Sequence, residues 1–289
     1  MLLLVSVLAR KSVTQRFKPS DSTMALMRDF KAMTNICIQV GLQHEASTLK
    51  RLSLLSYHEL QAFHVPSYYK LCAISKAAGI LAARKKSIRR GYPTKTPYLK
   101  KLLLSSCYGL KITGGMLRIP TGNRQFEKVP LTPHTLRTLS QPMLRVNSFT
   151  LTERSLSLSI SKEVEEMKEL ASTVGVDRNL LNLTVGNEHA VVQYDLSKTV
   201  EISENTRSII RSFKRNDIQV RKAISAKYGT RRKDRTQQLL HTVSKRIVES
   251  ALTNRQGIVF EDIRQIRNLY RKGNQQGRRY RGRMNDWSF

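Results

Sequence analysis

Acidic residues, cysteines and long apolar runs are all scarce in this chain of 289 residues. It has 21 Asp and Glu against 51 Lys and Arg, which leaves a formal net charge of +30. A free globule with this charge repels itself, so we expect a large polyanionic partner, with nucleic acid preferred over an anionic membrane. At about 100–200 residues per domain, the length predicts two domains.

The scarcity of cysteine excludes several kinds of site. Cys37, Cys72 and Cys107 lie far apart and form no CxxC or CxxH motif. Neither a disulfide framework nor a zinc site is therefore indicated, and we expect free thiols in a reducing cytoplasm. The apolar opening, Met1 to Leu8, is far shorter than the about 20 residues that cross a bilayer. Signal-peptide features are missing as well, so we predict a soluble cytoplasmic protein without membrane association.

The first half of the chain has almost no acidic counterweight, with 24 basic and 5 acidic residues in 1–150. Helical spacing of apolar residues predicts helices over Thr23–Leu42 and Glu45–Arg84. The stretch Arg84–Lys101 then holds eight basic residues, no acid, two tyrosines and two prolines. We predict a loop that tracks phosphates, although such a run is also typical of a solvated surface. Its candidate nucleic-acid-binding residues are Lys85, Lys86, Arg89 and Arg90.

From Tyr108 the apolar period changes from helical to alternating. A Gly114-Gly115 turn between two short apolar runs predicts a β-hairpin. Leucines and an isoleucine alternate with serines over residues 156–160, which predicts a strand with one buried face. Strands on both sides of the helical block indicate a β-barrel-like element that carries a helical insertion, in an α+β fold.

A second unit follows the only acidic cluster, Glu163–Leu170. Short apolar runs predict a three-stranded meander over Ser172–Asp177, Leu181–Val185 and Ala190–Tyr194, and a later buried strand over Gln256–Glu261. Two amphipathic helices lie between them. Their predicted apolar stripes are Ile209, Phe213, Val220 and Ile224 in the first helix, and Leu240, Val243, Ile247 and Ala251 in the second.

Two carboxylates end apolar strands of this second unit, Asp177 after the first strand and Glu261 after the fourth. In a ribonuclease H-like arrangement those strands are neighbours, so the carboxylates would converge. Hard oxygen ligands of this kind can hold two Mg²⁺ ions about 4 Å apart for phosphodiester hydrolysis. An acid after an apolar strand is also typical of a turn or a helix cap, and the residues alone leave both interpretations open.

Three segments of the second half carry a resemblance to a known family: VGVDRNLLNLTVGN, RRKDRTQQLLHTVSKRIVESA, and IVFEDI with its continuation to NDWSF. Together they resemble the TnpB (OrfB) proteins encoded by insertion sequences, over about residues 172–289 and more loosely over the N-terminal half. The resemblance implies an RNA-guided DNA endonuclease, with guide RNA and target DNA as partners and no small-molecule substrate. By position, Asp177 and Glu261 match the first and second catalytic acids, which bind Mg²⁺.

The resemblance also implies a domain organisation. Residues 1–170 match a wedge β-barrel with a helical recognition insertion at about residues 23–105, and 171–289 match a RuvC-like, ribonuclease H-like nuclease domain. Basic residues of this domain are further candidates for nucleic-acid binding. They are Arg231, Arg232, Lys233, Arg278, Arg279 and Arg281.

The sequence departs from the family at its end. Family members continue through a CxxC…CxxC zinc ribbon and a third catalytic Asp, whereas this chain ends at Phe289 with no such cysteines, so we expect no zinc. Asp286 is the only acid after Asp262, and it precedes the position of the third ligand. The sequence therefore predicts an incomplete nuclease domain that holds Mg²⁺ weakly. The alternatives are an inactive relic that binds RNA or DNA without cleavage, and an unrelated basic ribonucleoprotein component.

Overall fold

The computed structural model describes residues 6–122, 125–165 and 169–262. The chain divides into two compact units, Met1–Glu166 and Met167–Phe289. Both contain helices and sheets, which confirms the predicted mixed α+β class. The predicted site residues Arg278, Arg279 and Arg281, and the acid Asp286, lie outside the described residues.

The N-terminal unit contains seven strands and four α-helices in its described residues. The strands are β1 (Ser6–Arg16), β2 (Leu103–Ser106), β3 (Lys111–Thr113), β4 (Met116–Gly122), β5 (Gln125–Pro130), β6 (Leu144–Thr152) and β7 (Ser155–Glu165). The helices are α1 (Asp21–Gln43), α2 (Leu49–Ser56), α3 (Ser67–Arg89) and α4 (Pro133–Leu139), with a 3₁₀ turn at His58–Leu60.

The strands of this unit form two antiparallel sheets. One has the order β1-β7-β6-β2 and the other the order β3-β4-β5. Over residues 6–122 and 125–165 both sheets are open, which differs from the predicted closed β-barrel. Helices α1 and α3 pack against β2, the edge strand where a barrel would close. The helical block does lie between β1 and β2, as the alternating strands on either side predicted.

One apolar core joins the helices of this unit to both of its sheets. Phe30 of α1, Tyr69 of α3, Leu117 of β4 and Phe149 of β6 are all fully buried in the same cluster. Removing a side chain of this size from water contributes about 1.5–3 kcal/mol. The predicted face of β7 is confirmed too, since its alternating residues at 156, 158 and 160 are buried.

The basic stretch after residue 84 is helical at its start, contrary to the predicted loop. Helix α3 continues to Arg89, because neither glycine nor proline occurs between Arg84 and Gly91. Gly91 then adopts a left-handed conformation with φ 73°. Its N–H donates to the Ile88 carbonyl at 2.8 Å and the Tyr92 N–H to the Ser87 carbonyl at 3.1 Å. This pair of hydrogen bonds is a Schellman motif, which ends the helix at a residue without Cβ.

The predicted hairpin at Gly114-Gly115 is confirmed. Strands β3 and β4 pair across a two-residue loop, with Thr113 opposite Met116. Both glycines have positive φ, 57° and 73°. A type I′ turn requires positive φ at both central positions, and glycine adopts it without steric cost.

The C-terminal unit consists of one four-stranded sheet and two helices in its described residues. Its elements are β8 (Ser172–Arg178), β9 (Asn182–Gly186), β10 (Val191–Asp195), α5 (Ser197–Ser212), α6 (Ile218–Thr253) and β11 (Gln256–Phe260). The order β10-β9-β8-β11 confirms the predicted meander. The last strand joins it parallel to β8, after the long crossover through α5 and α6.

The boundary between the two helices of the C-terminal unit, α5 and α6, differs from the predicted one. The stripe assigned to a first helix, from Ile209 to Ile224, spans the end of α5 and the start of α6. Asp217 is the N-cap of α6, and its carboxylate accepts the N–H groups of Gln219 and Val220 at 2.7 and 3.0 Å. A carboxylate cap of this kind begins a helix by satisfying N–H groups that have no intrahelical partner.

The two faces of the C-terminal sheet differ. Val174 and Val176 of β8 are buried on one face, where Val174, Ile247 and Ala251 line a common cavity beside α6. Alternate residues of the same strands, such as Gly175 and Val259, are exposed on the other face. Among the described residues of both units, no helix has the length and apolarity needed to cross a membrane.

Candidate metal centre

Parallel pairing of β8 with β11 places the two predicted catalytic carboxylates side by side. The last paired residues are Val176 and Phe260, so Asp177 and Glu261 each lie one residue beyond them. Neighbouring strands are about 4.8 Å apart. Asp177 is the penultimate residue of β8, and Glu261 directly follows the carboxyl end of β11. The juxtaposition that we inferred from a ribonuclease H-like arrangement is thus present in the described sheet.

Alternation along β8 directs the Asp177 side chain to the exposed face, whereas Glu261, just beyond β11, lines cavities on both faces of the sheet. Val176 points to α6, so Asp177 and Gly175 point away from it. Asp177, Glu261 and Thr184 line a shallow depression of about 410 Å³ on this face. Gly175 and Gly186 line it too, so that two strands present hydrogen atoms instead of side chains beside the carboxylates.

One hydrogen bond orients the first carboxylate. The Asn179 Nδ2 group donates to Asp177 Oδ2 at 3.0 Å. Asp177 and Glu261 are both exposed. Neither carboxylate forms an ion pair with a basic residue of the described chain. The remaining carboxylate oxygens therefore face solvent.

The donor set fits part of a Mg²⁺ site. Mg²⁺ takes hard oxygen ligands and is often held by one or two carboxylates while it keeps several waters. Asp177 and Glu261 would supply those two protein ligands. Within residues 6–122, 125–165 and 169–262, no group of three Asp, Glu, His or Cys side chains could hold a metal ion together.

The predicted nucleic-acid-binding residues of the N-terminal unit lie at one helix end. Lys85, Lys86 and Arg89 are exposed on the last turns of α3, and Arg90 is its C-cap. These residues lie on the end of α3 and not in a loop as predicted, and the run of basic residues continues from them into the loop that follows.

The three consecutive residues of α6 that were predicted to bind nucleic acid do not form one exposed surface. Arg231 and Lys233 are exposed, whereas Arg232 is half-buried and its Nη1 donates to Ser203 Oγ of α5 at 3.2 Å. Ser203 is buried. The geometry therefore gives Arg232 a packing contact between the two helices, which three consecutive basic residues in a sequence do not reveal.

Arg178 is a residue beside the site that the sequence analysis did not single out. It follows Asp177 and points to the opposite face, where it lines a mainly apolar cavity of about 490 Å³ with His241 and Glu261. Burial lowers the pKa of its guanidinium below the usual value. The one feature of the sequence that could have drawn attention to Arg178 is its position directly after Asp177.

Comparison with known proteins places these observations in a family context. No family model matches the chain. It is 28% identical over 137 residues to a TnpB-like protein, MJ0751, of Methanocaldococcus jannaschii. The match covers 44% of this chain and 48% of that protein, so the chain spans about half the length of this relative. This similarity to a TnpB-like protein confirms the resemblance inferred from the sequence motifs.

Proposed function

We propose that this chain is a TnpB-like nucleic-acid-binding protein whose C-terminal unit carries the first two carboxylates of an RNA-guided DNA endonuclease site. The observation that carries the proposal is the parallel register of β8 and β11, which aligns Asp177 with Glu261. In this proposal the N-terminal unit corresponds to the wedge and recognition region, and the C-terminal unit to the RuvC-like domain.

The carboxylates would be metal ligands and not nucleophiles. Mg²⁺ bound there would activate water and stabilise charge on the reacting phosphate. Asn179 would hold the Asp177 carboxylate in one orientation through its 3.0 Å hydrogen bond. The two glycines beside the site would leave room for a phosphodiester to approach the exposed sheet face.

Guide RNA and target DNA would be held mainly through phosphate contacts. The net charge of +30 supplies the attraction, and counterion release makes such binding fall steeply with salt. The exposed cluster at the end of α3 is the first candidate for these contacts in the N-terminal unit. Its members are Lys85, Lys86, Arg89 and Arg90.

A second candidate function is binding without cleavage. The described residues bring two carboxylates together and no third metal ligand. Each missing ligand lowers both the charge and the geometric definition of a Mg²⁺ site. A nucleic-acid-binding protein with a weak metal site would keep all the basic surface and lose the chemistry.

A cleavage assay separates the two functions. The full chain is purified with the RNA that accompanies it, that RNA is sequenced, and DNA complementary to it is offered with Mg²⁺. The endonuclease proposal expects cutting that Asp177→Asn and Glu261→Gln abolish while RNA binding persists. Glu188→Gln, an exposed acid in the β9–β10 turn, is the matched control and leaves cutting unchanged.

The other outcomes are equally decisive. Salt-dependent binding of RNA and DNA without cutting would favour the binding protein over the endonuclease. Cutting that survives both carboxylate substitutions would overturn the site. A chain that binds no nucleic acid at low salt would overturn both functions.

A further inference from the structure

Helix α6 carries basic residues on two sides, and its packing on α5 distinguishes them. Arg232 faces α5, where it contacts Ser203. Successive helical residues are about 100° apart, so residues at four-residue spacing share a side. Lys227, Arg231 and Arg235 follow this spacing and are all exposed, to one side of Arg232. We call these three residues the α6 basic row.

The α6 basic row has a regular geometry. At 1.5 Å of rise per residue, its three cations are spaced about 6 Å apart and span about 12 Å. The ring of Tyr228 lies beside the first two, with its centroid 5.8 Å from Lys227 Nζ and 5.5 Å from Arg231 Cζ. Cation–π attraction at these distances restrains both side chains.

The row lacks acidic counterions. Among the described residues, none of its three cations forms an ion pair with a carboxylate. Toward the helix C-terminus the same side continues with the polar Gln238 and Thr242, and toward the N-terminus it continues with Ile224 and Val220, which are half-buried. Three evenly spaced, unneutralised cations beside a half-buried tyrosine are suited to a chain of phosphates.

We propose that the α6 basic row contacts successive phosphates of one nucleic-acid strand, with Tyr228 beside it as a stacking surface. This inference rests on the proposed function, which supplies the nucleic acid, and assigns one surface to it. Arg232 then holds α6 against α5 and does not contact the strand. Lys222 and Lys233 are also exposed but lie on the other side of Arg232, outside the row.

Paired variants of the full chain test the assignment. One variant carries Lys227→Ala with Arg231→Ala, and its charge-matched control carries Lys222→Ala with Lys198→Ala, where Lys198 is an exposed residue at the start of α5. Affinity for polyuridine RNA and for a random-sequence DNA duplex is measured across a salt series. Losing two phosphate contacts lowers the log–log salt slope by roughly 1.4 on a single strand and 1.8 on a duplex, and the control slope stays unchanged.

The two probes identify the strand, since the one whose slope falls is the one that the row contacts. Equal slope changes in both variants, or none in the row variant, would overturn the row while leaving the proposed function intact. Binding to phosphatidylserine vesicles that depends on the row, without any change on nucleic acid, would also overturn it. If the wild-type chain binds neither probe, the proposed function itself has failed. Circular dichroism confirms that both variants keep α6.

Discussion

Gln15 illustrates how single buried side chains organise the N-terminal unit. This residue of β1 is 9% exposed, and its amide makes three hydrogen bonds. Its Nε2 donates to the Pro130 carbonyl at 2.8 Å, and its Oε1 accepts the Thr132 N–H at 3.0 Å and the Thr135 hydroxyl at 2.9 Å. Buried polar groups are tolerated when they are satisfied in this way. The amide thus joins β1 to the start of α4 across more than 100 residues of sequence.

The three free cysteines differ in environment, which predicts an order of reactivity. Burial raises the pKa of the Cys37 thiol, and burial likewise raises the pKa of Cys72, whose Sγ lies 3.6 Å from Ser106 Oγ. Cys107 is exposed. Because the thiolate is the reactive form, we expect iodoacetamide at mildly alkaline pH to modify Cys107 first, Cys72 next and Cys37 last.

Mass spectrometry of timed, quenched samples measures this order. In guanidinium chloride all three thiols are exposed, and their rates are expected to become similar. If Cys37 of the folded protein were modified as rapidly as Cys107, this would contradict the burial of Cys37 on α1 in the core of the N-terminal unit.

At the scale of elements, the pairing of β8 with β11 creates a local electrostatic conflict. Two like charges that lie side by side on neighbouring strands destabilise the sheet by a few tenths of a kcal/mol. A divalent cation between them would remove this repulsion. The strand ends therefore link metal binding to the stability of the sheet.

This linkage predicts that bound metal and removal of one carboxylate each stabilise the chain. We expect Mg²⁺ to raise the melting temperature of the wild-type chain, because a ligand that binds the folded state stabilises it. Without metal, Asp177→Asn is expected to be more stable than wild type by a few tenths of a kcal/mol. Differential scanning fluorimetry with and without Mg²⁺ measures both effects. A Mg²⁺ shift of equal size in Asp177→Asn would mean that the cation binds elsewhere.

At the scale of the whole molecule, charge dominates. A net charge of +30 opposes the compact state through self-repulsion. The ion pairs Arg145–Glu163 and Lys245–Glu249 lie at exposed positions. Exposed pairs of this kind contribute about 0–1 kcal/mol each. Self-repulsion thus lowers the stability of the free protein, and neutralisation by a polyanion would relieve it.

Salt and polyanion should therefore each raise the thermal stability of the free chain, but high salt should cancel the effect of the polyanion. For the free chain, added NaCl is expected to raise the melting temperature, because screening weakens the self-repulsion. A polyuridine RNA should raise it further at low salt, and this gain should disappear as salt displaces the RNA. Melting curves over a salt series, with and without RNA, test both statements. A melting temperature of the free chain that falls steadily with NaCl would contradict the self-repulsion.

The sequence by itself determined the features that depend on local periodicity and on the properties of single residue types. Alternation and helical spacing predicted the mixed α+β class, the hairpin at Gly114-Gly115 and the meander of β8, β9 and β10. The same patterns, with the family resemblance, drew attention to Asp177 and Glu261. The predictions of class, hairpin and meander held because each depends on which residues alternate along one element, and the printed chain contains that information.

Only the tertiary structure decided which way polar side chains point and where sheets end. Arg231, Arg232 and Lys233 look equivalent in sequence, yet the packing of α6 on α5 turns Arg232 inward to Ser203. The described N-terminal unit has two open sheets instead of the predicted barrel, and α1 and α3 contact the edge strand β2. Such outcomes depend on contacts between residues far apart in the chain, and periodicity within one element carries no information about its neighbours.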